Sequence, residues 1–379
     1  MKNLSCLLAL TLSLVAAAPA RAGVLPDDRA DVMYHRYDGG GVTIDGPSLL
    51  VRKKFAEKVA VSASYYMDMV SSASIDVITT ASPYKEERKQ FGAGVSYLRG
   101  KVTYAAEFSN SRENDYKANT ASLSVSQDLF GDLTTVRLGF SRGWDDVSQR
   151  GAPDFAAKID RRSYSVDVSQ IITRNLIAGA SWETVTEEGF LNNPYRQVRY
   201  LDSGSPLGYS FEREQYPRTR TGNAVAIRAK YYLPYRAAVG GDYRFYTDTW
   251  GINAHTFELN YTHPWRRRWV FDARLRYYTQ KEADFYQDLF PRSSFANFVA
   301  RDKELASFKS LQAGIGVSYE YTPARLRFLN RSTINFRYDR LRFEYDDFRD
   351  LRVRDVTPGT EPFYRLNANV FQLFVSGWF

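Results

Sequence analysis

Along nearly its whole length this chain places apolar residues at every second position, with polar or charged residues between them. Val59, Val61, Ala63 and Tyr65 alternate with Ala60, Ser62, Ser64 and Tyr66. Val102, Tyr104, Ala106 and Phe108 alternate with Thr103, Ala105, Glu107 and Ser109. Phe271, Ala273 and Leu275 oppose Asp272, Arg274 and Arg276, and Leu311 to Tyr319 repeats the pattern against Gln312, Gly314, Gly316, Ser318 and Glu320. A period of two belongs to β-strands, whose successive side chains point to opposite faces. A second face this rich in Arg, Asp and Glu needs water, so it cannot line a dry core. The pattern predicts an all-β fold, a transmembrane antiparallel β-barrel with lipid on one face and a wet lumen on the other.

Composition agrees. The chain holds 27 Tyr, 24 Phe and 6 Trp beside a mean hydropathy of −0.43. No stretch beyond the first residues approaches the roughly 18–20 continuous apolar residues of a membrane helix. A soluble propeller should show blade-length repeats, and none is visible. Short connections are expected at 56–58, 99–101, 131–132, 173–175, 234–236, 266–268 and 322–324. Long polar ones are expected at 71–87, 143–161, 186–221, 280–307 and 346–363. Short turns at one end and long loops at the other give about 16 strands, within a range of roughly 14–18. The first is placed at Asp31–Tyr37 and the last at Leu366–Phe379; a lower count follows if Asp38–Gly41 forms a plug. The alternation slips phase near Asp339–Arg340, which predicts a bulge or an exit from the membrane there.

The two ends bear on location. Met1–Ala22 has the layout of a secretory signal peptide, with Lys2, an apolar Leu4–Ala18 and a small-x-small Ala20-Arg21-Ala22 site. Residues 23–379 then form a single barrel domain. Cleavage would take Lys2 and Arg21 from the formal charge of +8, leaving +6, and would remove Cys6, the single cysteine. That excludes disulfides, a thiolate metal site and a lipid anchor on that cysteine. Phe371, Leu373, Val375 and Phe379 continue the period-2 pattern to the end. This resembles the insertion signal of bacterial outer-membrane barrels, implying the barrel-assembly machinery as a partner. The expected location is the outer membrane of a Gram-negative cell, with both termini periplasmic.

Several side chains are candidates for function. Arg228, Lys230, Arg244, Arg274 and Arg276 fall on lumen-facing positions of nearby strands, and such a ladder sets up a transverse field favouring small anionic or zwitterionic solutes. Acidic residues share the lumen, so a cross-lumen ion-pair network is the structural alternative. Arg52, Lys53, Lys54, Arg266, Arg267 and Arg268 gather at the short-turn rim, to meet lipid headgroups or an acidic periplasmic partner. Tyr and Trp near strand ends should form interfacial girdles. Gly39-Gly40-Gly41 lacks the Lys-Ser/Thr and the helix of a phosphate loop and reads as a tight turn or plug, flanked by His35 and Asp45. Asp145-Asp146 and Asp346-Asp347 could hold Ca²⁺ or bridge lipopolysaccharide, without the spacing of a defined calcium loop. No cofactor, resident metal or nucleic acid is implied.

The stretch from Asp31 to Ser48, DVMYHRYDGGGVTIDGPS, is similar to the N-terminal signature of an uncharacterised family of proteobacterial proteins, catalogued as a domain of unknown function. Within it stand His35, Asp38, Gly39, Gly40, Gly41 and Asp45. The resemblance implies an outer-membrane protein over essentially the whole mature chain and transfers no catalytic residues. It also implies an extracytosolic redox setting, with a small periplasmic protein or lipoprotein as a neighbour, although the chain has no flavin-attachment sequence. The leading expectation is a channel or transport component. A non-conducting membrane platform is the alternative, and a barrel hydrolase using His255 is third. A non-enzyme is expected.

Overall fold

The computed structural model describes residues 25–72, 84–323, 326 and 328–379. The strand pattern read from the sequence becomes 16 strands of one closed antiparallel barrel and a small separate hairpin. In chain order the strands are β1 (Arg29–Gly39), β2 (Val42–Phe55), β3 (Val59–Ser72), β4 (Tyr84–Arg99), β5 (Val102–Arg112) and β6 (Tyr116–Leu129). There follow β7 (Thr134–Gln149), β8 (Ala152–Thr173), β9 (Leu176–Gly189), β10 (Gln197–Leu201), β11 (Tyr209–Arg213) and β12 (Thr219–Tyr232). The last are β13 (Ala238–Asp248), β14 (Asn253–Trp265), β15 (Trp269–Gln280), β16 (Phe308–Tyr321), β17 (Arg331–Arg349) and β18 (Phe363–Trp378). Every barrel strand pairs with its neighbour in sequence, except that β9 pairs with β12 around the β10–β11 hairpin. β1 closes on β18, from Arg29 opposite Trp378 to Gly39 opposite Ala368. The proposed signal segment, 1–22, lies outside the described residues.

Register fixes the two faces. Leu123 and Ile315 are 61% and 62% exposed on the outer surface. Exposing such a side chain to water forgoes about 1.5–3 kcal/mol each, and the outer face repeats this on strand after strand, as a lipid-facing band does. Phe371, Leu373 and Val375 of the terminal pattern all face outward, 40–50% exposed.

Three expectations are corrected. Asp38–Gly41 is not a plug: Gly40 and Gly41, at φ of 60° and 78°, make the two-residue turn that joins β1 to β2. The expected long loop at 143–161 is mostly strand, β7 and β8 meeting at Arg150–Gly151. No bulge falls at Asp339–Arg340, where β17 stays in register with both neighbours; its irregularity lies between Glu344 and Arg349. The phase slip coincides with a change in what the two faces of β17 meet. Ile334, Phe336 and Tyr338 face lipid, but Leu341, Phe343 and Tyr345 face inward, against an apolar core inside the barrel mouth.

That core is the main departure from a simple water-filled tube. It joins inward residues of the wall, among them Tyr37, Val42, Ile44, Phe308, Phe343 and Tyr364, to loop residues Tyr216, Trp250, Ala283, Tyr286 and Leu305. It sits at the end where the longer connections emerge, here called the loop end.

Candidate functional site

The lumen has two unlike walls. From β4 to β9 the inward positions are rich in glycines and short hydroxyls, among them Gly92, Gly94, Ser96, Ser109, Ser122, Ser124, Ser126, Gly139, Ser141, Ser163, Ser165, Gly179 and Ser181, interspersed with charged Arg88, Glu107, Arg137, Arg161, Asp167, Glu183 and Glu187. From β12 to β17 the inward positions carry Arg228, Lys230, Asp242, Arg244, Glu258, Arg274, Arg276, Gln312, Arg337 and Asp339. Serine projects a single heavy atom beyond Cβ, whereas arginine projects a long stem and a planar head. The β12–β17 side therefore carries more of the long side chains, and a recess opens among the serines of β6, β7 and β8.

The basic cluster expected from sequence does face inward, but it is largely neutralised where it stands. Arg228 meets Asp167 at 3.3 Å, Arg244 meets Glu183 at 3.8 Å and Arg274 meets Asp339 at 2.8 Å. Asp339 also accepts from Gln312 at 3.1 Å. Arg276 lies opposite Glu258 in the register of β14 and β15, and Glu258 opposite Asp242. Lys230 stands opposite Gly240 with no carboxylate partner within 4 Å among the described residues. Alternating signs in adjacent strands place Arg228, Arg244 and Arg274 beside carboxylates, as in the ion-pair network expected as the structural alternative.

The β9–β12 and β15–β16 connections, residues 190–218 and 281–307, fold into the loop end of the barrel. Their apolar side chains supply the core described above, with Trp250, Tyr216 and Phe285 packed ring against ring at 5.2–5.5 Å. A buried ionic clasp joins these two connections to the third, residues 350–362. Arg199 on β10, fully buried, donates to Glu361 Oε1 at 2.6 Å and Oε2 at 3.1 Å and also pairs with Asp288. Asp288 takes a second guanidinium, Arg301, at 2.9 Å and the Arg349 backbone N–H at 3.1 Å. Burial raises the Asp288 carboxyl, but Arg301 and Arg199 outweigh it and hold it below its ordinary value. Nearby the balance reverses. Glu214 and Glu304 are pushed up to about 7, by burial first and then by the charge of Asp302. Glu214 still accepts from Tyr216 at 2.7 Å and from the Arg301 N–H at 2.8 Å. The long connection expected at 186–221 thus folds as one half of a cap whose other half is 281–307.

The N-terminal signature has a physical role. His35 faces the lumen, 2% exposed, and its Nε2 lies 2.8 Å from Asp68 Oδ1 and 3.1 Å from the Tyr66 hydroxyl. Arg88 holds the other Asp68 oxygen at 3.0 Å. His35 is on β1 and Asp68 on β3, so the contact must cross β2. It does so over Gly46, directly opposite His35, where a Cβ would fall 1.9 Å from the Met67 carbonyl oxygen. Asp45 and Asp38, by contrast, face outward, as strand alternation requires. Asp45 accepts from Tyr34 at 2.8 Å, and Arg36 lies 3.6 Å from Asp45 and 3.8 Å from Asp38.

At the opposite end, Arg266, Arg267 and Arg268 sit exposed in the β14–β15 turn, with Arg266 over the Trp265 ring at 4.5 Å. Arg52 and Lys54 lie on the inward face of β2 and Lys53 on its outward face. Lys53 pairs with Asp28 at 2.6 Å and Lys54 with Asp27 at 3.5 Å, so the amino-terminal segment answers part of this rim. Trp378 is not a lipid-facing girdle residue. It shares the inward face of Ser376, with Arg29 and Arg331 over its ring at 4.9 and 4.0 Å. Phe379 lies under Lys53 at 5.0 Å.

His255 faces outward, bonded to the Tyr243 hydroxyl at 2.9 Å, and among the described residues no serine or carboxylate hydrogen-bonds it. The acidic pairs singled out for Ca²⁺ are engaged elsewhere: Asp145 with Arg161 at 2.7 Å, and Asp347 with the Ser307 N–H at 2.9 Å. A carboxylate group that sequence spacing did not reveal is Glu86, Glu113 and Asp115, with ligand atoms within 4.8 Å of one another. Pairing of β4 with β5 and the β5–β6 turn bring these together.

Comparison with known proteins supplies a family and a fold. The family model described as "Protein of unknown function (DUF3570)" matches residues 75–167 and 160–340. No curated protein sequence matches the chain. Among solved structures, a "Bacterial polysaccharide outer membrane secretin" is 11% identical over 94% of this chain and 100% of its own, with a TM-score of 0.50. Outer-membrane expressed OmpT of Vibrio cholerae is 9% identical over 94% and 100%, with a TM-score of 0.44. A FadL homologue of Pseudomonas aeruginosa is 9% identical over 94% and 91%, also at 0.44. At such identities the likeness is one of fold, and the first of these shares the closed outer-membrane barrel.

Proposed function

Because the chain belongs to the DUF3570 family and folds as a closed outer-membrane-type barrel, we propose that it is a conduit of the outer membrane for small polar solutes. In this reading Met1–Ala22 is cleaved on export, Phe371–Phe379 guides insertion, and the short-turn end with both termini faces the periplasm. The exposed Arg266–Arg268 turn meets phospholipid headgroups, each basic side chain adding roughly 1 kcal/mol near a charged surface.

The observation that carries the reading is the asymmetry of the lumen. A barrel whose only task was to anchor partners would have no need of a wall of glycine and serine facing a wall of paired charge. Filling the inside with large side chains would serve it better. The apolar cap favours a second reading, a non-conducting platform. Conductance separates the two.

Folded full-length mature protein in a planar bilayer is expected to give discrete current steps. Replacing Ser122 and Ser141 by Phe should obstruct the serine wall and cut the step size severalfold. Arg274→Gln, on the filled wall, should leave the step size nearly unchanged. Silence from protein shown to be folded, in the wild type and in variants that loosen the cap, would replace the conduit by the platform.

A further inference from the structure

A recess of about 140 Å³ opens in the serine wall, lined by Ser122, Ser124, Ser141, Ser163, Ser165 and, at its edges, Glu107 and Arg137. It is several times the roughly 30 Å³ that one water occupies in the liquid. Register explains why it exists. Ser122 stands opposite Ser141, and Ser141 opposite Ser163, while Gly139 separates Ser124 from Ser165. A Cβ at Gly139 would come within 2.5 Å of Ser165 Oγ, so the glycine keeps the floor low.

We infer that this recess is a binding site for a small uncharged polyhydroxylated solute, of the sugar or sugar-alcohol class. The inference rests on the conduit reading and supplies its substrate class. Each serine hydroxyl offers one donor and two acceptor positions. Ser124 accepts from Arg137 at 3.3 Å and Ser163 donates to Glu183 at 3.3 Å. Ser122, Ser141 and Ser165 hydrogen-bond no protein group among the described residues, so their capacity faces the lumen. A ring of groups that both donate and accept is matched by a ligand whose groups do the same, and polyols have that chemistry. The two edge charges have opposite sign, and the nearby Asp167 is held by Arg228, so no net charge selects an anion or a cation. Tyr116 faces inward at the loop end of β6, engaged with Asp145 and Arg161, and the inward positions that line the recess carry no aromatic ring, which keeps binding weak enough for a solute to leave.

The test uses folded mature protein in detergent micelles, with binding followed by saturation-transfer NMR and calorimetry. The probes are raffinose, sodium citrate and arginine hydrochloride. Raffinose is expected to bind and the two charged probes to bind at least tenfold more weakly. Replacing Ser122, Ser141 and Ser165 together by alanine should weaken raffinose roughly tenfold or more, since three net hydrogen bonds are lost. Arg337→Gln, on the inward face of β17 and outside the recess, should leave raffinose within about twofold. Preference for citrate or arginine, or raffinose binding unmoved by the triple substitution, overturns the inference. Because binding is read without current, its failure is distinct from that of the conduit: a silent barrel that binds raffinose at these serines keeps the site and loses the channel.

Discussion

Replacing Arg199 by alanine should open the cap without unfolding the barrel. Arg199 is fully buried and gives two hydrogen bonds to Glu361, with further contacts to Asp288. After truncation Asp288 keeps Arg301 and the Arg349 N–H. Glu361 keeps the Gly359 N–H at 2.9 Å and its own backbone N–H, but no cation among the described residues. Stranding one member of a buried pair typically costs about 3–5 kcal/mol. The chain can avoid that cost by swinging residues 350–362 into water, which undocks the cap. The closed-to-open ratio should therefore fall by roughly two to three and a half orders of magnitude, at about 1.4 kcal/mol per factor of ten. Hydrogen exchange of β10 and β11 amides should speed up accordingly, while amides of β5–β8 keep their protection. Open-state current should rise in parallel. The double variant Arg199→Met with Glu361→Met should recover much of the closure, because Asp288 retains a cation and no buried charge is stranded. Unchanged exchange of β10–β11 in Arg199→Ala would refute the clasp. Equal opening in the double variant would show that lost packing, not stranded charge, is responsible.

Two further outcomes follow from the same geometry. Glu214 and Glu304 titrate near 7 in the closed cap, above the ordinary value of 4.5, so the closed state holds protons that an opened, hydrated cap releases. Closure should be tightest below about pH 4.5 and weaken as pH rises through 7, read as growing quencher access to Trp250 with the other tryptophans changed to Phe; greater access at pH 5 than at pH 8 would reverse the assignment. Gly46→Ala brings a methyl group onto the Met67 carbonyl between His35 and Asp68, and should lower barrel stability by about 1–3 kcal/mol, seen as an earlier urea midpoint; an unmoved midpoint would mean that β2 and β3 separate there at no cost.

Much of this protein follows from local pattern. Alternation in β5, β15 and β16 set both faces correctly, because a pleated strand leaves no freedom once one face must meet lipid. Arg228, Arg244 and Arg274 were therefore legible as lumen residues. Their neutralisation was not, since Asp167, Glu183 and Asp339 reach them across strands whose register depends on the closed sheet. The serine wall was present in the sequence as scattered single residues. It became a wall only when β4 to β9 aligned their inward positions.

The sequence by itself determined the class of solvent on each face, and through it the strands, most of the short turns and closure into a barrel, although the turn expected at 322–324 runs on to residue 330 before β17 begins. Strand periodicity is a local property, enforced one residue at a time. Tertiary structure alone decided what packs into the mouth of the barrel. Leu341, Phe343 and Tyr345 break the lipid-facing rhythm because they face an apolar cap, and that cap is built from connections whose own sequence has no periodicity to read. Arg199, Asp288 and Glu361 lie far apart in the chain, and nothing local couples them. Only the exclusion of water from the cap core makes their pairing obligatory, and that exclusion exists only once all three connections have folded together.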